Sequence, residues 1–152
     1  MDADQKITAV DFLTLNKEYP MSDPVVLLNV DKRGVATITL NRPEVNNAYN
    51  GEFVKAMIEA VVQCSNDTNV RIIIIKGNGN HFQAGADLKW LKEIGKLSPQ
   101  ENLEVSRLTA SAIRGLTETM KPTVALIHGG CFGGGTGIAA SCDIVIASDD
   151  AL

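Results

Sequence analysis

Six consecutive residues limit the fold more than any other segment. Arg71-Ile72-Ile73-Ile74-Ile75-Lys76 encloses four isoleucines in a row, and Gly77-Asn78-Gly79-Asn80 turns the chain directly after it. β-branched side chains are stiff at χ1 and pack well on a pleated surface. An apolar run without polar alternation, bounded by turn residues, is the pattern of a fully buried strand in a parallel sheet. Parallel neighbours are reached only through long crossovers, usually helices, so such a strand commits the chain to alternating strands and helices.

The flanking sequence supplies them. Val25 to Val30 and Val35 to Leu40 are β-rich runs joined by Asp31-Lys32-Arg33-Gly34, which predicts a hairpin. Asn41-Arg42-Pro43 stops the second run. Phe53, Met57, Ile58, Val61 and Val62 recur at helical spacing and predict an amphipathic helix over 51–66. Asp87 is placed to N-cap a short helix through Ile94. Ser98-Pro99-Gln100-Glu101 is a capping box with proline at the first helical position, opening a helix expected to reach Met120. Thr123 to His128 is a second buried strand, Gly133 to Ser141 a glycine-opened helix, and Asp143 to Ala147 a further strand. The expected class is α/β. The strands at 71–76 and 123–128 should be neighbours, with 143–147 beyond them. Residues 1–23 read as a polar arm and 24–152 as the folded core.

Composition removes several functions. The 152 residues carry a net charge of −4 with no run of Lys and Arg, which leaves no basic field for nucleic acid or an anionic membrane. No apolar stretch approaches membrane-spanning length, and the first residues hold no signal-peptide core. Cys64, Cys131 and Cys142 form neither a paired framework nor a C-x-x-C, which fits a reducing, cytoplasmic setting. His81 and His128 are too few and too isolated for a metal site, so no metal is expected. His128 reads as a satisfied loop histidine, Trp90 as core, and Cys131 as a small buried residue rather than a nucleophile. Gly135-Thr136-Gly137-Ile138-Ala139-Ala140 fits the dinucleotide fingerprint, but several loop residues precede its first glycine. No phosphate-binding G-K-[ST] and no G-x-S-x-G elbow occurs.

The chemistry-bearing segments are two glycine loops, each between a strand and a helix start. One is His81-Phe82-Gln83-Ala84-Gly85-Ala86-Asp87; the other runs Gly129-Gly130-Cys131-Phe132-Gly133-Gly134-Gly135-Thr136-Gly137. Glycine permits positive φ and close backbone approach, and helix N-termini present unpaired N–H donors. Two such loops at one sheet edge could aim two N–H groups at one oxygen, the requirement for stabilising a thioester enolate. Taken singly, each is equally a tight packing turn.

Five segments in order resemble the enoyl-CoA hydratase/isomerase (crotonase) family. Gly34 to Pro43 looks like its opening strand and N-R-P turn; Asn46-Asn47-Ala48-Tyr49-Asn50 resembles the next segment. Phe82 to Lys89 matches F-x-A-G-A-D-L-K, and Lys121 to Gly129 looks like the K-P-x-I-A-x-I-x-G strand. Phe132-Gly133-Gly134-Gly135 followed by Cys142-Asp143-Ile144 matches G-G-G…C-D-I. The resemblance implies a crotonase-like β-β-α spiral core and an acyl-CoA thioester as partner. Coenzyme A would enter as part of the substrate, with no separate cofactor. It implies oxyanion donors at the N–H groups of Ala86 and Gly134, with Ala48, Ala84, Asp87 and Leu88 along the coenzyme path. It also implies homo-oligomers, trimeric or hexameric, for a complete protein. Asp87 keeps its simpler role as a cap.

The match departs at Gly137, where ordinary hydratases of the family carry a catalytic glutamate. Their second glutamate lies downstream of the C-D-I strand, past Leu152. The expectation is therefore an incomplete core with the thioester-polarising half and neither carboxylate. The G-G-x-G pattern with Phe132 and Trp90 is similar to hydratases acting on branched glutaconyl-CoA esters. Isomerase chemistry and a non-catalytic coenzyme A-binding module are the alternatives.

Overall fold

The computed structural model describes residues 23–152. Residues 1–22, nearly all of the expected arm, lie outside the described residues. Two strands open the fold, β1 (Val26–Val30) and β2 (Val35–Leu40), followed by a 3-10 turn at Pro43–Val45 and helix α1 (Gly51–Asn66). Then come β3 (Ile72–Gly77), β4 (Gln83–Ala84), α2 (Leu88–Ile94) and α3 (Pro99–Glu118). The chain continues through β5 (Thr123–Ile127), β6 (Cys131–Phe132), α4 (Gly134–Ala140) and β7 (Ile144–Ala147).

The main sheet has the order β1-β2-β3-β5-β7. β1 and β2 pair antiparallel, and every other pair is parallel. The hairpin closes on Gly34 at φ 82°, while the Asp31 carboxylate accepts from the N–H groups of Arg33 and Val35. The α/β class, the hairpin and the neighbouring of the two buried strands with β7 beyond are as the sequence leads one to expect.

The register explains the core. Ala36 pairs with Ile73 and Ile38 with Ile75, and Ile75 pairs in turn with Ala125. A period of two then puts Ala36, Ile38, Leu40, Ile73, Ile75, Ala125 and Ile127 on one face, and all are buried. Phe53, Val54, Met57, Val61 and Cys64 of α1 join the same cluster, and α3 packs on α1 through Ala112 and Leu116.

Three expectations need correction. The isoleucine strand is buried on one face only: Ile72 and Ile74, on the other face, are half-buried. On α1, Val62 is 52% exposed, because the inward stripe runs through Val54 and Cys64 instead. α3 stops at Glu118, since Thr119 turns to φ −64°, ψ 139°, and Met120 is exposed. The predicted caps are present: Asp87 accepts from Lys89 and Trp90 N–H, and Ser98 with Glu101 completes the capping box; Asn50, accepting from Phe53 N–H, adds a cap for α1 that the sequence reading did not assign.

β7 is apolar yet open. Ile144, Val145 and Ile146 are all about half exposed. It is tied to β5 by the parallel ladder and by the Asp143 carboxylate, which accepts from Thr123 N–H and Thr123 Oγ1. Among the described residues no helix is long and apolar enough to cross a membrane.

Candidate functional site

A small second sheet, too short to announce itself in the sequence, builds the site. β4 and β6 pair in parallel, Gln83 with Cys131 and Ala84 with Phe132. This brings the two glycine loops side by side. A Cβ added to Gly133 would stand 3.3 Å from Gly85 Cα. Gly85 (φ 88°) and Gly133 (φ 54°) both occupy conformations that side chains resist.

The first loop is laid against residues 46–49. Ala84 N–H donates to Asn46 O, Tyr49 N–H to Gly85 O, and Asp87 N–H to Tyr49 O, which makes a parallel bridge between Tyr49 and Ala86. Gly85 N–H donates to Gln83 Oε1 at 2.8 Å. Of the amides from Ala84 to Asp87, only that of Ala86 has no acceptor among the described residues. In the parallel ladder an amide opposite its bridge partner points away from it, outward from the strand pair.

The second loop ends in α4. Gly134 is its first residue, so its N–H has no intrahelical acceptor, and none is found elsewhere among the described residues. Gly134 must be glycine: an added Cβ would lie 2.7 Å from the Tyr49 ring. At Gly129 (φ 52°) a Cβ would lie 2.1 Å from Asn80 O, so the second loop sits directly on the first. Gly130 N–H donates to His81 Nδ1 at 2.9 Å, and His128 Nε2 meets Gly79 O at 2.9 Å. Both histidines are thus satisfied loop residues.

Polar side chains hold the frame. Asn47 is fully buried with φ 57°; its Nδ2 donates to the carbonyls of Asn78, His81 and Phe82, and its Oδ1 accepts from Arg42 N–H. Arg42 Nη1 donates to Ala48 O, and Nη2 reaches Asp87 Oδ2 at 3.0 Å. The two side chains of that ion pair are only 13% and 16% exposed. Burial raises the Asp87 carboxyl pKa, but hydrogen bonds from Arg42, Lys89 N–H and Trp90 N–H, with the guanidinium charge, outweigh it and hold it below 3.8. Asp87 is therefore a charged cap that also clamps Arg42 across the loop.

Beside Gly134 lies a cavity of about 50 Å³, room for a few waters or a short acyl group. Phe53, Val54, Met57, Ile113 and Ile138 give it apolar walls; Tyr49, Gln83 and Thr109 are its polar members. None of its lining residues is acidic. Gly137, one turn along α4 from Gly134, is not sterically bound to be glycine: a Cβ there would meet only Ile113 at 3.8 Å.

Ala84, Ala86 and Asp87 lie on the first loop and Gly134 on the second, and the two loops abut at Gly85 and Gly133. Ala84 and Leu88 are exposed, whereas Ala48 is buried with its carbonyl engaged by Arg42. Trp90 is half-buried, edge-on to Tyr49 at 5.6 Å between centroids, and its buried Nε1 has no hydrogen-bond partner among the described residues. Cys131 is half-buried, and burial raises its thiol pKa, which opposes nucleophilic use. The dinucleotide reading fails on geometry: Gly133 makes the turn, and Gly135 and Gly137 already lie inside α4.

Comparison with known proteins decides the family. The sequence model for Enoyl-CoA hydratase/isomerase matches residues 31–152. The chain belongs to that family. A short-chain-enoyl-CoA hydratase of Clostridium acetobutylicum is 38% identical, over 80% of this chain and 46% of its own length. The mitochondrial Delta(3,5)-Delta(2,4)-dienoyl-CoA isomerase of Dictyostelium discoideum is 30% identical, over 96% of this chain and 48% of its own. The crystal structure of an enoyl-CoA hydratase from Shewanella pealeana superposes with a TM-score of 0.81 at 31% identity, covering 84% of this chain and 48% of that one. The fold is thus the crotonase fold, and this chain spans about half the length of the enoyl-CoA hydratase/isomerase relatives it matches.

Asn47, Tyr49 and Gln83, which brace or line the candidate site, are the residues that reading the sequence did not single out. Their positions lay inside quoted motifs, but nothing in local pattern marks a buried Asn with four hydrogen bonds.

Proposed function

We propose that the Ala86 and Gly134 N–H groups form an oxyanion hole for the thioester oxygen of an acyl-CoA. The single observation that carries this is the β4–β6 pairing, which abuts two strand-to-helix turns, the first leaving the Ala86 amide without an acceptor and the second leaving Gly134 among the open amides at the start of α4. When a proton leaves Cα, or water adds at Cβ, negative charge moves onto the thioester oxygen. Fixed donors there stabilise the enolate more than the ground state. The acyl group would enter the apolar cavity, and the exposed Ala84 and Leu88 would face the coenzyme A moiety, with Asp87 capping α2 behind them.

Enoyl-CoA hydration, more narrowly of branched glutaconyl-CoA esters, is the reaction this reading favours, in a cytoplasmic homo-oligomer of three or six subunits. Proton transfer needs a group outside the described cavity lining, because Gly137 supplies no carboxylate. The chain by itself is therefore expected to hydrate crotonyl-CoA poorly, since general acid–base help is worth roughly 10²–10⁴ in rate. Isomerisation is the second reading, favoured by the similarity to the Dictyostelium isomerase. Product analysis separates the two.

The test removes the donors one at a time. Proline at Ala86 deletes one N–H. At Gly134 the Tyr49 ring forbids a Cβ, so replacing that amide by an ester through glycolic acid incorporation is the cleaner change. Each loss should cost about 2.7–4 kcal/mol of barrier in a chain extended to the length of its relatives. In the present chain each should reduce the infrared downshift of the bound thioester carbonyl. A folded Ala86→Pro variant with the full carbonyl shift would refute that donor.

A further inference from the structure

Gln83 stands second in the Phe82 to Lys89 segment and opens β4. Its side chain is fully buried, which is costly for a carboxamide unless its hydrogen bonds are made. Its orientation is fixed by chemistry. The Gly85 N–H that meets it at 2.8 Å is a donor, so the atom facing it is Oε1, and Nε2 takes the weaker contact to Gly85 O at 3.4 Å. The side chain therefore curls forward two residues and occupies the amide next to Ala86. The second loop lies on the opposite side of the same carboxamide. A Cβ on Gly135 would stand 2.9 Å from Gln83 Cβ and 3.1 Å from Oε1, and a Cβ on Gly134 3.4 Å from Nε2. No space separates Gln83 from either loop. Its own backbone adds the link from Gln83 N–H to Gly130 O at 3.1 Å.

We propose that Gln83 is the positioning residue that couples the two glycine loops: its Oε1 engages Gly85 so that Ala86 keeps the free amide, and its side chain sets how closely Gly135, and with it the start of α4, can approach. This deepens, and rests on, the oxyanion-hole reading. An apolar residue of equal length would fill the space but would release Gly85 N–H to compete with Ala86. A shorter one would let α4 settle inward. The two donors then share one brace, and a push on either loop is felt in the other.

The experiment uses the present chain, labelled with nitrogen-15, and reads two signals. Amide hydrogen exchange at Gly85 reports the brace without any ligand. The carbonyl stretch of bound crotonyl-CoA reports the hole. Gln83→Met keeps the volume and removes the acceptor. Gly85 should then exchange about tenfold faster, the effect of losing one hydrogen bond worth about 1.4 kcal/mol, while Ile73 and Ile75 are unchanged. The carbonyl downshift should fall by about half. Gln83→Glu, which keeps an oxygen at the same reach, should restore Gly85 protection. Gly135→Ala presses on Gln83 from the other loop and should speed Gly85 exchange across the gap, so the idea stays testable if the methionine variant fails to fold. Unchanged Gly85 exchange in Gln83→Met, or in Gly135→Ala, overturns the proposal. A wild-type chain giving no carbonyl shift would instead count against the oxyanion hole, and the Gly85 measurement would still decide the brace.

Discussion

The two loops of the site reach the same end by opposite means. The first, 81–87, is held by side chains that are present: Asn47 gathers three carbonyls, Arg42 grips Asp87, and Gln83 closes on Gly85. The second, 129–137, also makes hydrogen bonds, Gly130 N–H to His81 Nδ1 among them, but its close seat depends on side chains that are missing. Gly129, Gly134 and Gly135 lie where any Cβ would strike Asn80 O, the Tyr49 ring or Gln83. Side-chain hydrogen bonds dominate in the first loop, and contact distance is the added constraint in the second. The first should therefore yield to loss of polar groups, and the second to gain of a single methyl.

The largest expected effect is in the second loop. Gly129→Ala adds a Cβ 2.1 Å from Asn80 O at a φ of 52°, and should cost about 4 kcal/mol, combining backbone strain with overpacking. Thermal or urea unfolding measures it. A loss below about 1 kcal/mol would mean the loops separate easily, and the contact-distance account would be wrong.

Next is the first loop. Asn47→Ala leaves Arg42 N–H and three loop carbonyls without their partner, at a cost of about 3 kcal/mol. Its urea midpoint should drop while the m-value holds. Asn47→Asp should not rescue it, since a carboxylate cannot donate to carbonyls.

Arg42→Met should cost about 2 kcal/mol at neutral pH, below the figure for a fully buried pair because water still reaches both groups. The pH dependence has a definite sign. The folded Asp87 pKa is depressed below 3.8, so its stabilisation is present above that value and is lost as the pH falls through the folded pKa. The gap between wild type and Arg42→Met should be constant near pH 7 and shrink below about pH 4. A gap independent of pH would show that Arg42 acts by packing alone.

The smallest effect has the opposite direction. Gly137→Ala fills open space beside Ile113 and replaces glycine inside a helix, so it should stabilise by about 0.5–1 kcal/mol. It separates Gly137 from its neighbours: the glycines of this loop are obligatory at 129, 134 and 135, and optional at 137. Destabilisation there would erase that distinction.

The same contrast decides what could be read from the sequence. Strands, helix caps and the two glycine loops are local, and Asp87 and Ser98 with Glu101 cap as their positions suggest. The family resemblance then pointed to Ala86 and Gly134, and the loops that carry them lie side by side. The pairing of Arg42 with Asp87 spans 45 residues and that of Asn47 with Phe82 spans 35, so no window of sequence contains both partners. β4 and β6 have two residues each, too few for any periodicity. The isoleucine run misled about burial because composition alone does not say which face a neighbour covers.

The size of the small sheet has one more consequence. Its ladder comprises Gln83 and Ala84 with Cys131 and Phe132, against a main sheet of five strands. Segments with few backbone bonds can open at a fraction of the global unfolding free energy. If β4 parts from β6, the helices and the main sheet persist, and far-ultraviolet circular dichroism would register almost nothing. Spectroscopic foldedness and a formed site are then separate populations, and the competent fraction of a sample must be counted at the Gly85 and Gly134 amides themselves.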